Sequence, residues 1–295
     1  MQIRTVGVLG CGLMGSGIAQ VSAAAGYKTI VGDVNKKMIE RGQARIQKFL
    51  DDGIAKGKVT QDKADETLAN LTSTTEFAAM KDCDLIIEAI TENADEKVNA
   101  YKLLEAAVGQ HTIFASNTSS LCITELAART RRPDRFGGLH FFNPVPLMKL
   151  VEVVRALTTS DETYQTLFNF SESVGKEPIT APDKPGFIVN RLLVPYLLDA
   201  IRCYERGLGT REDIDKGMKL GCGYPMGPLT LLDFVGLDTT YYIAEIMFNE
   251  FREKRFAPPP LLKRMVLAGL YGRKSGRGFY DYTKDPKNPT PMNLV

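Results

Sequence analysis

Thr5-Val6-Gly7-Val8-Leu9-Gly10-Cys11-Gly12-Leu13-Met14-Gly15 is the stretch whose reading decides the fold. An apolar β-rich run over 6–9 ends in the pattern GxGxxG. A helix with small residues along one side is predicted over 14–25. In a strand–turn–helix unit, such glycines allow a tight turn and let the backbone approach a pyrophosphate seated on the positive helix N-terminus. A lone GxGxxG is weak because turns use glycine freely, so the flanking strand and helix carry the reading. They assign Gly10, Cys11, Gly12, Leu13, Met14 and Gly15 to a dinucleotide. A second strand over 28–32 ends at Asp33, about 20 residues after the motif, where a carboxylate accepts from ribose hydroxyls and repels a 2′-phosphate. Lys36 and Lys37 could accept such a phosphate, but Asp33 outweighs them and the expected cofactor is NAD. FAD shares the fingerprint, and the motif alone leaves it open.

Outward from this unit, short β-rich runs alternate with helical stretches, the pattern of an α/β parallel sheet. Strands are predicted at 84–89, 112–115, 135–141, 150–154 and 178–180, with a helix over 161–174. The charged stretch 36–69 is too long for one crossover helix and is broken near Gly53 and Gly57, which predicts an inserted helical hairpin. After Pro182-Asp183-Lys184-Pro185-Gly186 the pattern becomes helical, at 187–206, 211–220, 229–251 and 260–268. The expected organisation is a Rossmann-type NAD-binding domain over 1–184, an all-helical domain for substrate and dimerisation over 185–283, and a flexible tail over 284–295.

Bulk properties exclude several classes. With 295 residues, 44% hydrophobic and 24% charged, the chain can bury more than one core. A net charge of +2 gives no reason to expect nucleic acid or an anionic membrane as partner. No apolar run approaches the roughly 20 residues of a membrane span, and no signal-peptide pattern opens the chain. The cysteines at 11, 83, 122, 203 and 222 are odd in number and form no CxxC pair. They read as reduced thiols of a cytoplasmic protein; an organellar protein without its transit peptide would read the same. No Cys/His cluster has metal-ligand spacing.

The chain holds two histidines. His111 lies in a polar turn and is expected to be exposed and inert. His140 ends the strand over 135–141, just before the turn Asn143-Pro144-Val145-Pro146, and strand ends are where open α/β sheets place their chemistry. Spacing alone leaves a satisfied core histidine equally open. Glu152 shifts the reading, because it interrupts Leu150-Val151-Glu152-Val153-Val154, where an unpaired buried carboxylate is costly. Flanking one short turn on successive strands, His140 and Glu152 can meet, as an imidazole supported by a carboxylate. An edge strand with Glu152 facing water is the alternative.

At this point the chain resembles the L-3-hydroxyacyl-CoA dehydrogenases, including the bacterial 3-hydroxybutyryl-CoA enzymes. The resemblance rests on His140-Phe141-Phe142-Asn143-Pro144 with Glu152, and on Ser116-Asn117-Thr118-Ser119-Ser120. It extends through Pro185-Gly186-Phe187-Ile188-Val189-Asn190-Arg191, Gly221-Cys222-Gly223-Tyr224-Pro225-Met226-Gly227-Pro228 and Gly272-Arg273-Lys274-Ser275-Gly276-Arg277-Gly278-Phe279-Tyr280. It implies that His140 is the general base for oxidation, with Glu152 as its partner, and that Ser119 and Asn190 bond the reacting oxygen or the thioester. It implies that Glu92, Lys97, Asn117, Ser119, Asn143 and Lys274 line the cofactor, and that Lys56 on the helical hairpin approaches CoA. A homodimer through the helical half is implied, with Phe234, Val235, Leu237, Ile243 and Ile246 as its apolar surface. Asn117 and Ser119 could instead cap the helix near Ile123, Asn190 could be a core amide, and Lys56, Lys97 and Lys274 could be solvated. A dehydrogenase for a small free hydroxy acid, or a non-catalytic nucleotide sensor, would share the Rossmann half.

Overall fold

In the computed structural model, which describes residues 1–292 and 294, β1 (Thr5–Leu9) is buried from Val6 onward and is flanked by parallel strands on both sides. The chain continues through α1 (Leu13–Ala24), β2 (Lys28–Gly32), α2 (Lys36–Ala55), α3 (Gln61–Ala69) and β3 (Leu71–Thr74). Next come β4 (Leu85–Glu88), α4 (Ala94–Ala107), β5 (Ile113–Ser116), α5 (Ile123–Ala128) and β6 (Phe136–Phe141). The unit closes with β7 (Leu150–Arg155), α6 (Asp161–Ser173) and β8 (Glu177–Pro182). The eight strands lie in the order β3-β2-β1-β4-β5-β6-β7-β8, a doubly wound arrangement. Every pairing is parallel except β6 with β7. That reversal brings the end of β6 beside the start of β7.

The helical hairpin is present as α2 and α3. Ile46 and Leu50 of α2 pack on Ala64 of α3, and the Thr60 hydroxyl caps α3 by accepting from the Lys63 N–H at 3.2 Å. Gly42 lets α2 lie against the glycine loop, since a Cβ there would stand 2.2 Å from Cys11 Sγ. Strand β3 was not among the expected elements. Leu71-Thr72-Ser73-Thr74 lies at the sheet edge and is half-exposed, so it lacks the apolar run that marks the inner strands.

The chain divides at Phe187/Ile188. The C-terminal unit contains α7 (Val189–Glu205), α8 (Arg211–Cys222), α9 (Pro228–Val235), α10 (Leu237–Phe251) and α11 (Pro260–Leu267). The single helix expected over 229–251 is two helices, because Gly236 at φ 104° breaks the hydrogen-bond ladder. As a result Leu237 is fully buried and Ile243 is 6% exposed, both packed in their own unit's core. Neither adds to the outer apolar surface expected of them. In the tail, β9 (Tyr280–Asp281) pairs antiparallel with β10 (Thr290–Pro291); the flexible tail expected over 284–295 also includes residues 293 and 295, which lie outside the described residues.

Two buried carboxylates hold this unit together. Asp215 accepts from the N–H groups of Leu229 and Thr230 at the start of α9, and from the Tyr280 hydroxyl. Asp233 accepts from the N–H groups of Phe279 and Tyr280 at 2.8 and 2.9 Å, and from the Tyr282 hydroxyl. Gly272 and Gly278 follow from this clasp: a Cβ at Gly278 would stand 2.0 Å from Asp233 Oδ1, and one at Gly272 would stand 2.3 Å from the Asp233 carbonyl.

Burial pushes the Asp233 carboxyl up to about 6 from 3.8; the three donors pull it down, and Asp215 adds to the rise. An acid whose folded value is raised contributes its stability fully below the unfolded value and loses it as pH rises through about 6. Between about pH 7.5 and about pH 5, wild type should therefore gain about 1.4 kcal/mol over Asp233→Asn in urea unfolding. A difference between the two proteins that stays flat with pH would show that Asp233 remains ionised in the fold.

Candidate active site

The three motif glycines are required for three different reasons. Gly10 has φ 98°, and a Cβ there would stand 2.6 Å from the Ala89 carbonyl oxygen. Gly15 faces the turn itself, with a Cβ position 1.8 Å from the Gly10 carbonyl oxygen. Gly12, the N-cap of α1, meets nothing within 4 Å on its Cβ side and offers no side chain to cap the helix. Open space beside an uncapped helix N-terminus is what an approaching pyrophosphate needs, so the loop fits a dinucleotide. Leu13 and Met14 open the helix; Leu13 is exposed. Asp33 fixes the loop to β2: Oδ2 accepts from the Cys11 N–H at 2.9 Å and Oδ1 from the Asn35 N–H at 3.0 Å. Cys11 is fully buried, and burial together with the Asp33 charge raises its thiol to about 11, which keeps it protonated.

His140 and Glu152 are direct cross-strand partners in the antiparallel pair β6–β7, so their side chains leave the same face of the sheet. His140 Nδ1 lies 2.7 Å from Glu152 Oε2. Glu152 is fully buried on an inner strand, between β6 and β8, and the water-facing edge reading does not hold. The imidazole is 6% exposed and is flanked by Phe142 and Phe187, with ring centroids 4.5 and 5.6 Å away. Phe187 sits at φ 43° immediately after Gly186 at φ 80°. A bulky residue in the left-handed region costs on the order of 1–3 kcal/mol, here offset by a side chain that is 2% exposed. His111 is exposed and lies 3.6 Å from Asp84.

The segment Ser116-Asn117-Thr118-Ser119-Ser120 leaves the end of β5 beside this pair of strands. Asn117 Oδ1 accepts from the Phe141 N–H at 2.9 Å, tying the loop to the residue after His140. Glu92 Oε1 accepts from the Thr118 hydroxyl, from the Ser119 N–H at 3.0 Å and from the Ser120 hydroxyl at 3.1 Å. Ser116 donates its hydroxyl to Glu88 Oε2 at 2.7 Å. Three of the loop's four hydroxyls are thus engaged, while that of Ser119 makes no hydrogen bond among the described residues. Burial works to raise the Glu92 carboxyl, but the Lys97 ammonium and the three loop donors outweigh it and hold the group below its usual value.

Lys97 is 1% exposed, and its ammonium lies 2.6 Å from Glu88 Oε1 and 3.3 Å from Glu92 Oε2. The solvated alternative for Lys97 therefore fails. Glu88 was missed at the sequence level, although Leu85-Ile86-Ile87-Glu88 carries the signal that marked Glu152: a carboxylate ending or interrupting an apolar strand. Asn143 is exposed in the turn after β6, and Lys56 is exposed at the C-terminal end of α2. In the C-terminal unit, Asn190 is the second residue of α7, and Lys274 is exposed with its ammonium 2.7 Å from Asp238 Oδ2.

Two family descriptions match successive parts of the chain: "3-hydroxyacyl-CoA dehydrogenase, NAD binding domain" over residues 5–184, and "3-hydroxyacyl-CoA dehydrogenase, C-terminal domain" over residues 186–282. The mitochondrial hydroxyacyl-coenzyme A dehydrogenase of Sus scrofa is 47% identical over 288 residues, covering 95% of this chain and 91% of that protein. A 3-hydroxybutyryl-CoA dehydrogenase of Mycobacterium tuberculosis is 48% identical over 282 residues, 95% of this chain and 99% of that one. The crystal structure of (S)-3-hydroxybutyryl-CoA dehydrogenase from Ralstonia eutropha superposes with a TM-score of 0.92 at 46% identity, covering 96% of this chain and all of that one.

The glycine geometry predicts separable effects. Gly12→Ala meets no protein atom and should keep the wild-type unfolding midpoint while weakening NADH binding about tenfold or more, as read by fluorescence titration. Gly15→Ala should lower the unfolding midpoint itself. Normal NADH affinity in Gly12→Ala would contradict the placement of the dinucleotide on this loop.

Proposed function

This chain belongs to the 3-hydroxyacyl-CoA dehydrogenase family, and from that premise we propose that it interconverts (S)-3-hydroxyacyl-CoA and 3-oxoacyl-CoA esters of short or medium acyl length. The observation that carries this reading is the buried contact of 2.7 Å between His140 Nδ1 and Glu152 Oε2. It leaves Nε2 as the ring nitrogen available to exchange a proton with the substrate's 3-hydroxyl. In oxidation His140 takes that proton, and the buried Glu152 carboxylate stabilises the imidazolium that forms. In reduction the protonated ring returns it. Ser119, whose hydroxyl the loop leaves unengaged, donates to the reacting oxygen. Phe142 and Phe187 keep bulk water from the imidazole, which strengthens its interaction with Glu152.

Bound NAD supplies the two-electron acceptor. The loop Gly10–Gly15 holds its pyrophosphate and Asp33 its adenosine ribose, as the open side of Gly12 and the position of the carboxylate beside the Cys11 N–H support. The exposed Lys56 is suited to a phosphate of the CoA moiety. A homodimer through the C-terminal unit is supported by Phe234, Val235 and Tyr242, which remain 40%, 38% and 46% exposed there. No helix among the described residues is long and apolar enough to cross a membrane. The five cysteines are all free, in keeping with a reducing, cytoplasmic setting.

His140→Gln should reduce turnover with acetoacetyl-CoA and NADH by roughly 10²–10⁴, the usual worth of a positioned acid–base group, with NADH affinity nearly unchanged. His111→Gln should turn over as wild type does. Comparable losses in the two variants would exclude His140 as the acid–base group.

A further inference from the structure

Asp183 caps a helix to which it does not belong, and the residues that follow it carry the strained backbone beside His140. Helix α5 begins after Cys122, whose side chain makes no capping bond. The cap comes from 60 residues further along the chain. Asp183 Oδ1 accepts from the Ile123 N–H at 2.7 Å, and Oδ2 accepts from the Thr124 N–H at 2.7 Å and from the Thr124 hydroxyl. Two donors that a first helical turn leaves unpaired, and one hydroxyl, thus converge on one carboxylate. Through Ile123, α5 in turn rests on β6, since a Cβ at Gly138 would stand 3.0 Å from Ile123 Cδ1. Gly138 and His140 are two apart on one strand and share a face, so α5 lies on the face of β6 from which His140 emerges.

From Asp183 the chain runs into a turn that its sequence makes stiff. The Lys184 carbonyl accepts from the Phe187 N–H at 2.8 Å, with Pro185 and Gly186 between them and Gly186 at φ 80°. Proline in second place and a glycine of positive φ in third are the type II pattern, which leaves little freedom inside the turn. Phe187, at φ 43°, leaves the turn with its buried ring 5.6 Å from the His140 imidazole. A bulky residue keeps such a conformation only where its surroundings over-determine it. Burial of the ring fixes one end of the arm 183–187, and the bonds from Ile123 and Thr124 to Asp183 fix the other.

We propose that Asp183 is a positioning residue for the reaction: by clamping the turn to the start of α5, its carboxylate holds the Phe187 ring against His140. This rests on His140 being the acid–base group and on Phe187 keeping bulk water from it. A carboxylate is required rather than a polar group of the same shape, because an amide in its place would set its own N–H groups against one of the donors.

The test uses the full-length enzyme with acetoacetyl-CoA and NADH. Asp183→Asn should lose about 10- to 100-fold in kcat, the scale of a misplacement near 1 Å, with NADH affinity by fluorescence within about twofold of wild type. In a Phe187→Leu background, where the ring is already gone, the same change should cost less than about threefold further. Thr124→Val removes one donor and keeps the carboxylate with both backbone donors. It should lose about threefold in kcat, again only while Phe187 is present, and it stands in for Asp183→Asn if that variant does not fold. Wild-type kcat in the deciding variant overturns the proposal. So does a loss that multiplies fully with that of Phe187→Leu, the result expected of a cap that serves only the fold. A loss that disappears in Ser119→Ala instead also overturns it, since Asp183 would then be positioning the loop before α5. His140→Gln, measured alongside, keeps the two readings apart. If it turns over as wild type does, the acid–base reading itself fails; a loss there beside wild-type kcat in the deciding variant overturns the positioning alone.

Discussion

The arrangement depends on one reversal of chain direction. Six strands run parallel from β3 through β6, and β7 then turns back. In an antiparallel pair, residues directly opposite share a face at close range. His140, next to last in β6, and Glu152, third in β7, are such a pair. A slip of one residue in either strand would send one side chain to the other face of the sheet. The register is thus the constraint that turns two ionisable residues, 12 apart in sequence, into a buried dyad. The turn between them is secured from outside by Lys176, whose buried ammonium donates to the carbonyls of Val145 and Met148 at 2.5 and 2.9 Å.

Around the dyad, polar groups at strand ends are used in a consistent way. Asp33 directly follows β2 and accepts from the glycine loop; Glu88 ends β4 and accepts from Lys97 and Ser116; Ser116 ends β5. Each group lies at the carboxyl edge of the parallel strands, where α/β sheets present their loops to ligands, and each satisfies backbone or loop donors that would otherwise be buried unpaired. The rigid sheet thereby fixes the loops, and the loops fix the two groups on which the proposed reaction rests, the His140 imidazole and the Ser119 hydroxyl.

Much of this was legible in the sequence because the deciding signals are local. The glycine loop sits between a strand and a helix, the hairpin insertion shows as a charged helical stretch too long for one crossover, and Glu152 is conspicuous among valines. Three features were not legible, for physical reasons. Strand β3 is a polar edge that owes its form to pairing with β2 rather than to its own pattern. The break at Gly236 was hidden because apolar residues continue on both sides of it, and only the positive φ reveals the turn. The inward set of Lys97 depends on Glu88, whose side chain is brought within reach by the fold of β4 against α4, so a single lysine read alone looks like a solvated one.

A double-mutant cycle on kcat at His140 and Glu152 tests the coupling on which the rest depends. Glu152→Gln keeps the shape of the strand and removes the charge, and its effect should exist only while His140 is present. The account predicts that His140→Gln, Glu152→Gln together turn over within about threefold of His140→Gln alone, as for residues that act as one unit. If instead the two losses multiply, Glu152 acts on the reaction independently of His140, and the dyad set by the β6–β7 register is not the catalytic unit.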